Sequence, residues 1–179
     1  TSTGIFSRTA NTNPNKSKID KLLEDFDVVE DFTTKATSYK NKHIGDKFST
    51  STLFLTIQKI SNSYLLQVHI IYVAPISLLA QYVTPESFFI KSYSLNADKT
   101  IYPINNIGES AIRGNGGNSS GFVASLKDEE EIKFFELFAK AKNATIYYNG
   151  DSNTKKNTLS SREKKHIEET LELYNELTQ

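Results

Sequence analysis

The chain predicts an α+β fold: a mostly antiparallel sheet with a short N-terminal helix, one inserted helix and a C-terminal helix. Three observations carry that expectation. Two apolar runs, Leu53 to Ile60 and Tyr64 to Val73, flank the polar loop Ser61-Asn62-Ser63 as the arms of a hairpin do. Helix-start signatures stand at Ser125–Asp128 and at Ser160–Glu163, each ahead of apolar residues at helical spacing. The order that results is helix, several strands, helix, strand, helix, which is the α+β pattern.

The first helix is expected over Lys18–Asp25, capped by Ser17, with Ile19, Leu22, Leu23 and Phe26 on one face and Asp20, Glu24 and Asp25 on the solvated one. Asp27 to Lys42, rich in Val, Thr, Phe and Tyr, reads as extended. In the strand Tyr64–Val73 both alternating sets are mostly apolar, so it belongs in the middle of a sheet and is covered on both sides. Ser87–Leu95 and Thr100–Ile104 form a second hairpin around Asn96-Ala97-Asp98-Lys99.

Asn105 to Gly121 holds five of the eight glycines and reads as a loop. Phe122–Leu126 is a short strand leading to the inserted helix. Asp128 to Glu131 load the first turn of that helix with four carboxylates, which complement its dipole. Ile132, Phe135, Phe138 and Ala139 follow as its apolar face. Ala144–Asn149 is a strand turned by Asn149-Gly150, and Ser160-Ser161-Arg162-Glu163 opens the last helix.

Composition sets limits on the chemistry. Ile, Leu, Phe and Val make up 48 of the 179 residues, above the roughly 20% floor below which chains stay disordered. Zero cysteine excludes disulfides, thiolate metal sites, iron–sulfur clusters and a cysteine nucleophile. Lys+Arg and Asp+Glu are equal at 21 each. That balance gives no global field to draw in nucleic acid or an anionic membrane. Lys155-Lys156 and Lys164-Lys165 are too short to form a nucleic-acid tract. The apolar stretch from Tyr64 to Val83 is interrupted by Gln67, His69, Pro75, Ser77 and Gln81, and no membrane span is expected there.

Residues Thr1 to Ser17 are polar, carry only Arg8 and Lys16 as charges, and include Pro14. They are expected to be a flexible tether, with one domain over 18–179. Such a tether suits a bacterial lipoprotein whose signal peptide and acylated Cys precede the mature chain, the only route by which this protein is expected to reach a membrane. The competing expectation is an arbitrary boundary near the N-terminus of a cytoplasmic protein. Asn, Ser and Thr together number 51. At that frequency the sequons at Asn15, Asn118 and Asn143 arise by chance.

Candidate sites are few. Gly114-x-Gly116-Gly117 lacks the Gly-Lys-Ser/Thr of a phosphate loop, and Ser119 breaks a dinucleotide fingerprint. A surface loop fits it better; Glu109 and Arg113 are the ionic groups it could offer a polar ligand. His43, His69 and His166 lie in different elements, without the short spacing of a zinc motif. His69 is expected as a hydrogen-bonded strand residue and is the third ligand-binding candidate. Asp128–Glu131 lack the alternation and turn glycine of a calcium loop. Asp25, Asp27, Glu30 and Asp31 read as charge at the entry to a strand. Gly117-Asn118-Ser119-Ser120-Gly121 fits Gly-x-Ser-x-Gly in its letters, but it lies in the glycine-rich loop with no helix directly after it, so no hydrolase nucleophile elbow is expected. Phe88-Phe89 and Phe134-Phe135 are aromatic doublets, and Phe88 and Phe89 are candidates for an exposed partner-binding patch.

The C-terminal third, Phe122 to Leu177, resembles a layout of uncharacterised bacterial secreted proteins and lipoproteins. The residues that carry it are Phe122-Val-Ala-Ser-Leu, Phe138-Ala-Lys-Ala-Lys, Ala144-Thr-Ile-Tyr-Tyr-Asn-Gly150, Leu159-Ser-Ser-Arg-Glu and Leu171-Glu-Leu-Tyr-Asn-Glu-Leu177. Ile146-Tyr147-Tyr148 stand where such relatives often carry a basic residue. The resemblance implies a cell-envelope protein and transfers no active-site residue. The expectation is therefore an extracytoplasmic, non-enzymatic binding or accessory module for a protein or small polar ligand, with no cofactor and no metal. The alternatives are an enzyme whose site assembles from His69, Glu109 and Arg113, and a structural or assembly partner.

Overall fold

A computed structural model describes residues 14–44, 50–73, 90–104, 112–113, 119–126, 128–150 and 153–179. Among them the fold is α+β, with three helices and two antiparallel sheets. Helix α1 spans Pro14–Leu23, followed by strands β1 (Phe26–Asp31), β2 (Ala36–Asn41), β3 (Thr52–Ile60) and β4 (Ser63–Val73). Next come β5 (Ser92–Ala97), β6 (Thr100–Ile104), β7 (Ile112–Arg113) and β8 (Ser119–Ser125). Helix α2 (Glu129–Lys140), β9 (Ala144–Asn149), β10 (Thr154–Thr158) and α3 (Ser161–Thr178) complete the order. The larger sheet runs β1-β2-β3-β4-β8-β7 and the smaller β10-β9-β5-β6.

Alternation along the strands builds the core. Leu53, Leu55 and Ile57 of β3 and Leu66, Val68, Ile70 and Tyr72 of β4 are all buried on one face of the large sheet. Tyr93, Leu95 and Ala97 of β5 and Ala144, Ile146 and Tyr148 of β9 do the same on the small one. The two faces meet through aromatic rings: Tyr72 on Tyr148 at 5.0 Å and Tyr93 on Phe122 at 5.4 Å. Helix α3 lies across β2, β3 and β4, and α2 packs on α3 and β5. Phe135, Phe138, Ile167 and Leu173 are fully buried from the helical side. Each such side chain is worth about 1.5–3 kcal/mol of transfer energy.

Several boundaries differ from those expected, each for a local reason. Helix α1 begins at Pro14 and not at Lys18, so Ser17 lies inside the helix and is not its cap. Proline fits the first helical turn, where its missing N–H would have no partner. Phe26 opens β1 and is buried there. The extended segment after it is a hairpin turned at Phe32–Lys35, where the Asp31 Oδ1 accepts the backbone N–H groups of Thr33 and Thr34 at 2.8 and 3.2 Å. This Asx-type turn is the reason the chain reverses.

The β3–β4 turn is two residues, Ser61 and Asn62, with Ile60 opposite Ser63. Ser61 carries the positive φ, 55°, that such a tight turn requires. Asp98, also at φ 55°, turns β5 into β6. Its carboxylate accepts the backbone N–H groups of Lys142 and Asn143 at 3.1 and 2.8 Å, which ties that turn to the start of β9. The expected glycine loop is in part a ladder: Ile112 and Arg113 pair with Gly121 and Ser120.

Asp128, not Ser125, caps α2, its side chain accepting the Glu131 N–H at 2.9 Å. The box opening α3 is as expected: Ser160 and Glu163 satisfy each other's backbone donors. Strand β10 is an addition with no apolar pattern to announce it. Tyr64–Val73 is strand, and no helix among the described residues is long and apolar enough to cross a membrane.

Candidate functional site

His69 stands on the face of the large sheet that points away from the core. β4 alternates there, burying Leu66, Val68, Ile70 and Tyr72 while Leu65, Gln67, His69 and Ile71 take the opposite side. The two-residue turn fixes the register with β3, so Phe54 faces His69 and Thr56 faces Gln67. The Phe54 and His69 rings stack at 4.7 Å with 6° between planes. Thr56 Oγ1 lies 2.8 Å from His69 Nε2, and Gln67 donates its amide to Gln58 at 3.2 Å. The next strand places Val123 opposite His69 and Ser125 opposite Gln67.

This is an aromatic step beside a polar row. Burial is the main cause that pulls the His69 imidazole down from 6.5 to about 4, and the charge of Lys40 on β2 adds to it. The ring is therefore neutral at neutral pH. One ring nitrogen can donate and the other accept, while the Thr56 hydroxyl can do either. A base this weak is poorly matched to proton abstraction near pH 7, because efficient general bases titrate close to the working pH. The arrangement suits hydrogen bonding to a ligand better than proton transfer.

The other expected site residues fall elsewhere. Arg113 sits opposite Ser120, in the register row of Tyr72, three positions along β4 from His69. Glu109, Phe88 and Phe89 lie outside the described residues, as does the Gly114–Gly117 run. Of the ligand-binding candidates, only His69 has a described side-chain environment. Its neighbours Phe54, Thr56, Gln58 and Gln67 were not singled out from the sequence. They follow from the hairpin once its turn is two residues long; a three-residue loop would shift every pair by one.

The structure joins two histidines that the sequence leaves apart. His43, just after β2, and the buried His166 of α3 stack at 5.9 Å and 17°. Asn41 bridges the same elements: its amide donates to Glu169 Oε2 at 2.8 Å and its Oδ1 accepts the His43 N–H at 3.0 Å. Asp25 stands 3.9 Å from His43. Among the described residues no group of three or more His, Asp or Glu has the geometry to hold a metal ion.

A crevice of about 510 Å³ runs between the helices, lined by Lys18, Glu136, Lys140, Glu168, Glu172 and Glu176 among others. Lys18 already bridges Glu172 and Glu176 across it, at 3.1 and 2.7 Å. Its charges are in part mutually compensated and exposed to solvent, and exposed pairs of this kind contribute little. Compared with protein-family models, curated proteins and solved structures, the chain matches none.

Proposed function

We propose that the protein is an extracytoplasmic, non-enzymatic binding module that takes a small polar ligand on the His69 face of its six-stranded sheet. The observation that carries this reading is the neutral His69 imidazole, stacked on Phe54 and within hydrogen-bond distance of Thr56. The partly exposed imidazole, held on the buried Phe54 ring beside hydroxyl and amide groups, offers a small polar ligand directed hydrogen bonds. The address is supported by a chain without cysteine to oxidise and by the resemblance of its C-terminal third to bacterial secreted proteins and lipoproteins.

Amide-resolved NMR titration with a panel of small carboxylates, amides and sugars tests the reading. Shifts clustered on β3 and β4, with binding weakened roughly tenfold in His69→Ala, are expected; that factor corresponds to one charge-free hydrogen bond. Shifts confined to other elements, or turnover of a panel compound that is lost in His69→Ala, would overturn it.

A further inference from the structure

Two open sheet edges carry opposite charge. β1 ends the six-stranded sheet and β10 ends the four-stranded one, and among the described residues each is paired on one side only. Every β1 residue from Asp27 to Asp31 is exposed, and in β10 only Asn157 is partly covered. β1 holds Asp27, Glu30 and Asp31 with no basic residue, whereas β10 holds Lys155 and Lys156 with no acidic one.

The hydrogen-bond phase of both edges can be read from their neighbours. Lys42 N–H donates to the Asp25 carbonyl at 2.9 Å. Bonded positions recur at every second residue of an antiparallel pair. With the observed register, Asp27, Val29 and Asp31 therefore bond to β2, and the N–H and C=O groups of Val28 and Glu30 point outward. In β10, Leu159 N–H donates to Ala144 at 2.8 Å and Gly150 N–H to Asn153 at 2.9 Å. Lys155 and Asn157 thus bond to β9, while Thr154, Lys156 and Thr158 point outward.

We propose that β10 of one copy adds antiparallel to β1 of a second copy, joining protomers head to tail. One register satisfies both the phase and the charge. Glu30 faces Lys156 and Val28 faces Thr158 as bonded pairs, which sets Asp31 against Lys155 and Val29 against Asn157. Pairing two β1 edges brings carboxylates together, and pairing two β10 edges brings lysines together; directly opposed like charges destabilise a sheet. The cross-pairing is the one that charge permits, and it covers Val28 and Val29, now 47% and 62% exposed. The contact is heterologous, so each copy retains a free edge and association continues into rings or chains.

Sedimentation velocity of the full chain over a range of concentrations tests this. Wild type is expected to show concentration-dependent association that salt weakens, because the paired charges are exposed. The Lys155→Glu/Lys156→Glu variant has two acidic edges and the Asp27→Lys/Glu30→Lys/Asp31→Lys variant two basic ones. Each is expected to be monomeric alone, and the two are expected to associate when mixed. Val28→Pro keeps every charge and every bond to β2 but blocks the outer edge, so it too is expected to be monomeric. Circular dichroism confirms that each variant is folded; if the triple variant is not, the lysine pair and Val28→Pro carry the test. Monomeric wild type at low salt, or association undiminished in Val28→Pro, would overturn the proposal and leave the charges as a guard against edge pairing.

Discussion

The Tyr148 hydroxyl on β9 donates to the backbone carbonyl of Ile71 on β4 at 3.2 Å, a hydrogen bond that crosses from the small sheet to the large one. The phenol is 1% exposed and packs on both Tyr72 and Tyr93. Burial keeps it protonated well above the usual phenol range. Tyr148→Phe preserves the ring and removes one neutral hydrogen bond, so a loss of about 1 kcal/mol is expected. Tyr148→Ala also empties the junction of the sheets and is expected to cost about 3–5 kcal/mol. Urea denaturation separates the two. Equal losses would mean that the ring contributes nothing beyond its hydroxyl.

Capping of α2 offers a paired test. Asp128 accepts the Glu131 N–H, so Asp128→Ala is expected to cost about 1 kcal/mol. Ser125 ends β8 and caps nothing, so Ser125→Ala is expected to stay within about 0.5 kcal/mol of wild type. Thermal melts of the two variants read the contrast directly. A reversed order would return the cap to Ser125.

His69 makes acid stability informative. Its folded-state value of about 4 lies below the ordinary 6.5, so the unfolded chain takes up the proton first as pH falls. The associated stability is whole above about pH 6.5 and is lost progressively down to about pH 4, by up to about 3 kcal/mol. His69→Phe keeps a ring on Phe54 and is expected to flatten that part of the pH–stability curve. Side-chain NMR should find His69 titrating near pH 4. Titration near 6.5 would contradict a desolvated imidazole.

His166, stacked on His43, acts in the same direction. Burial lowers His166 most; Arg162 and His43 lower it further, while Glu169 and Glu163 oppose them. Stability tied to His166 is therefore complete above pH 6.5 and falls as acid charges the ring. His166→Phe is expected to remove part of the acid sensitivity that remains in His69→Phe, with the two effects adding because, among the described residues, the two sites share no hydrogen-bond or ring partner. Denaturant midpoints at pH 7 and pH 5 for both single variants and the double variant measure this. An unchanged pH dependence in His166→Phe would exclude the stack as an acid-sensitive contact.

Local chemistry made much of the architecture legible. The period-2 run around Leu66–Tyr72, the Ser160–Glu163 box and the i, i+4, i+7 series Ile167, Leu171, Tyr174 each encode an element within a few residues. β10 stayed hidden because Thr-Lys-Lys-Asn-Thr carries no apolar alternation; it is a strand because β9 offers it an edge. The start of α1 was displaced because polar residues with a proline read as tether, although proline is compatible with a first helical turn.

The candidate site was legible only in part. His69 was singled out, but its partners Phe54 and Thr56 depend on a register that one extra turn residue would have moved. The meeting of His43 with His166 depends on α3 lying across β2, which no local pattern encodes.

By itself, the sequence determined the α+β class, the helix signatures, the central place of β4 and the absence of cysteine chemistry, because these depend on short-range periodicity and composition. Tertiary structure alone decided the division into two sheets, the opposed charges of the β1 and β10 edges and the desolvation that keeps His69 neutral. Those properties arise from long-range pairing and burial, and neither is carried by neighbouring residues in the chain.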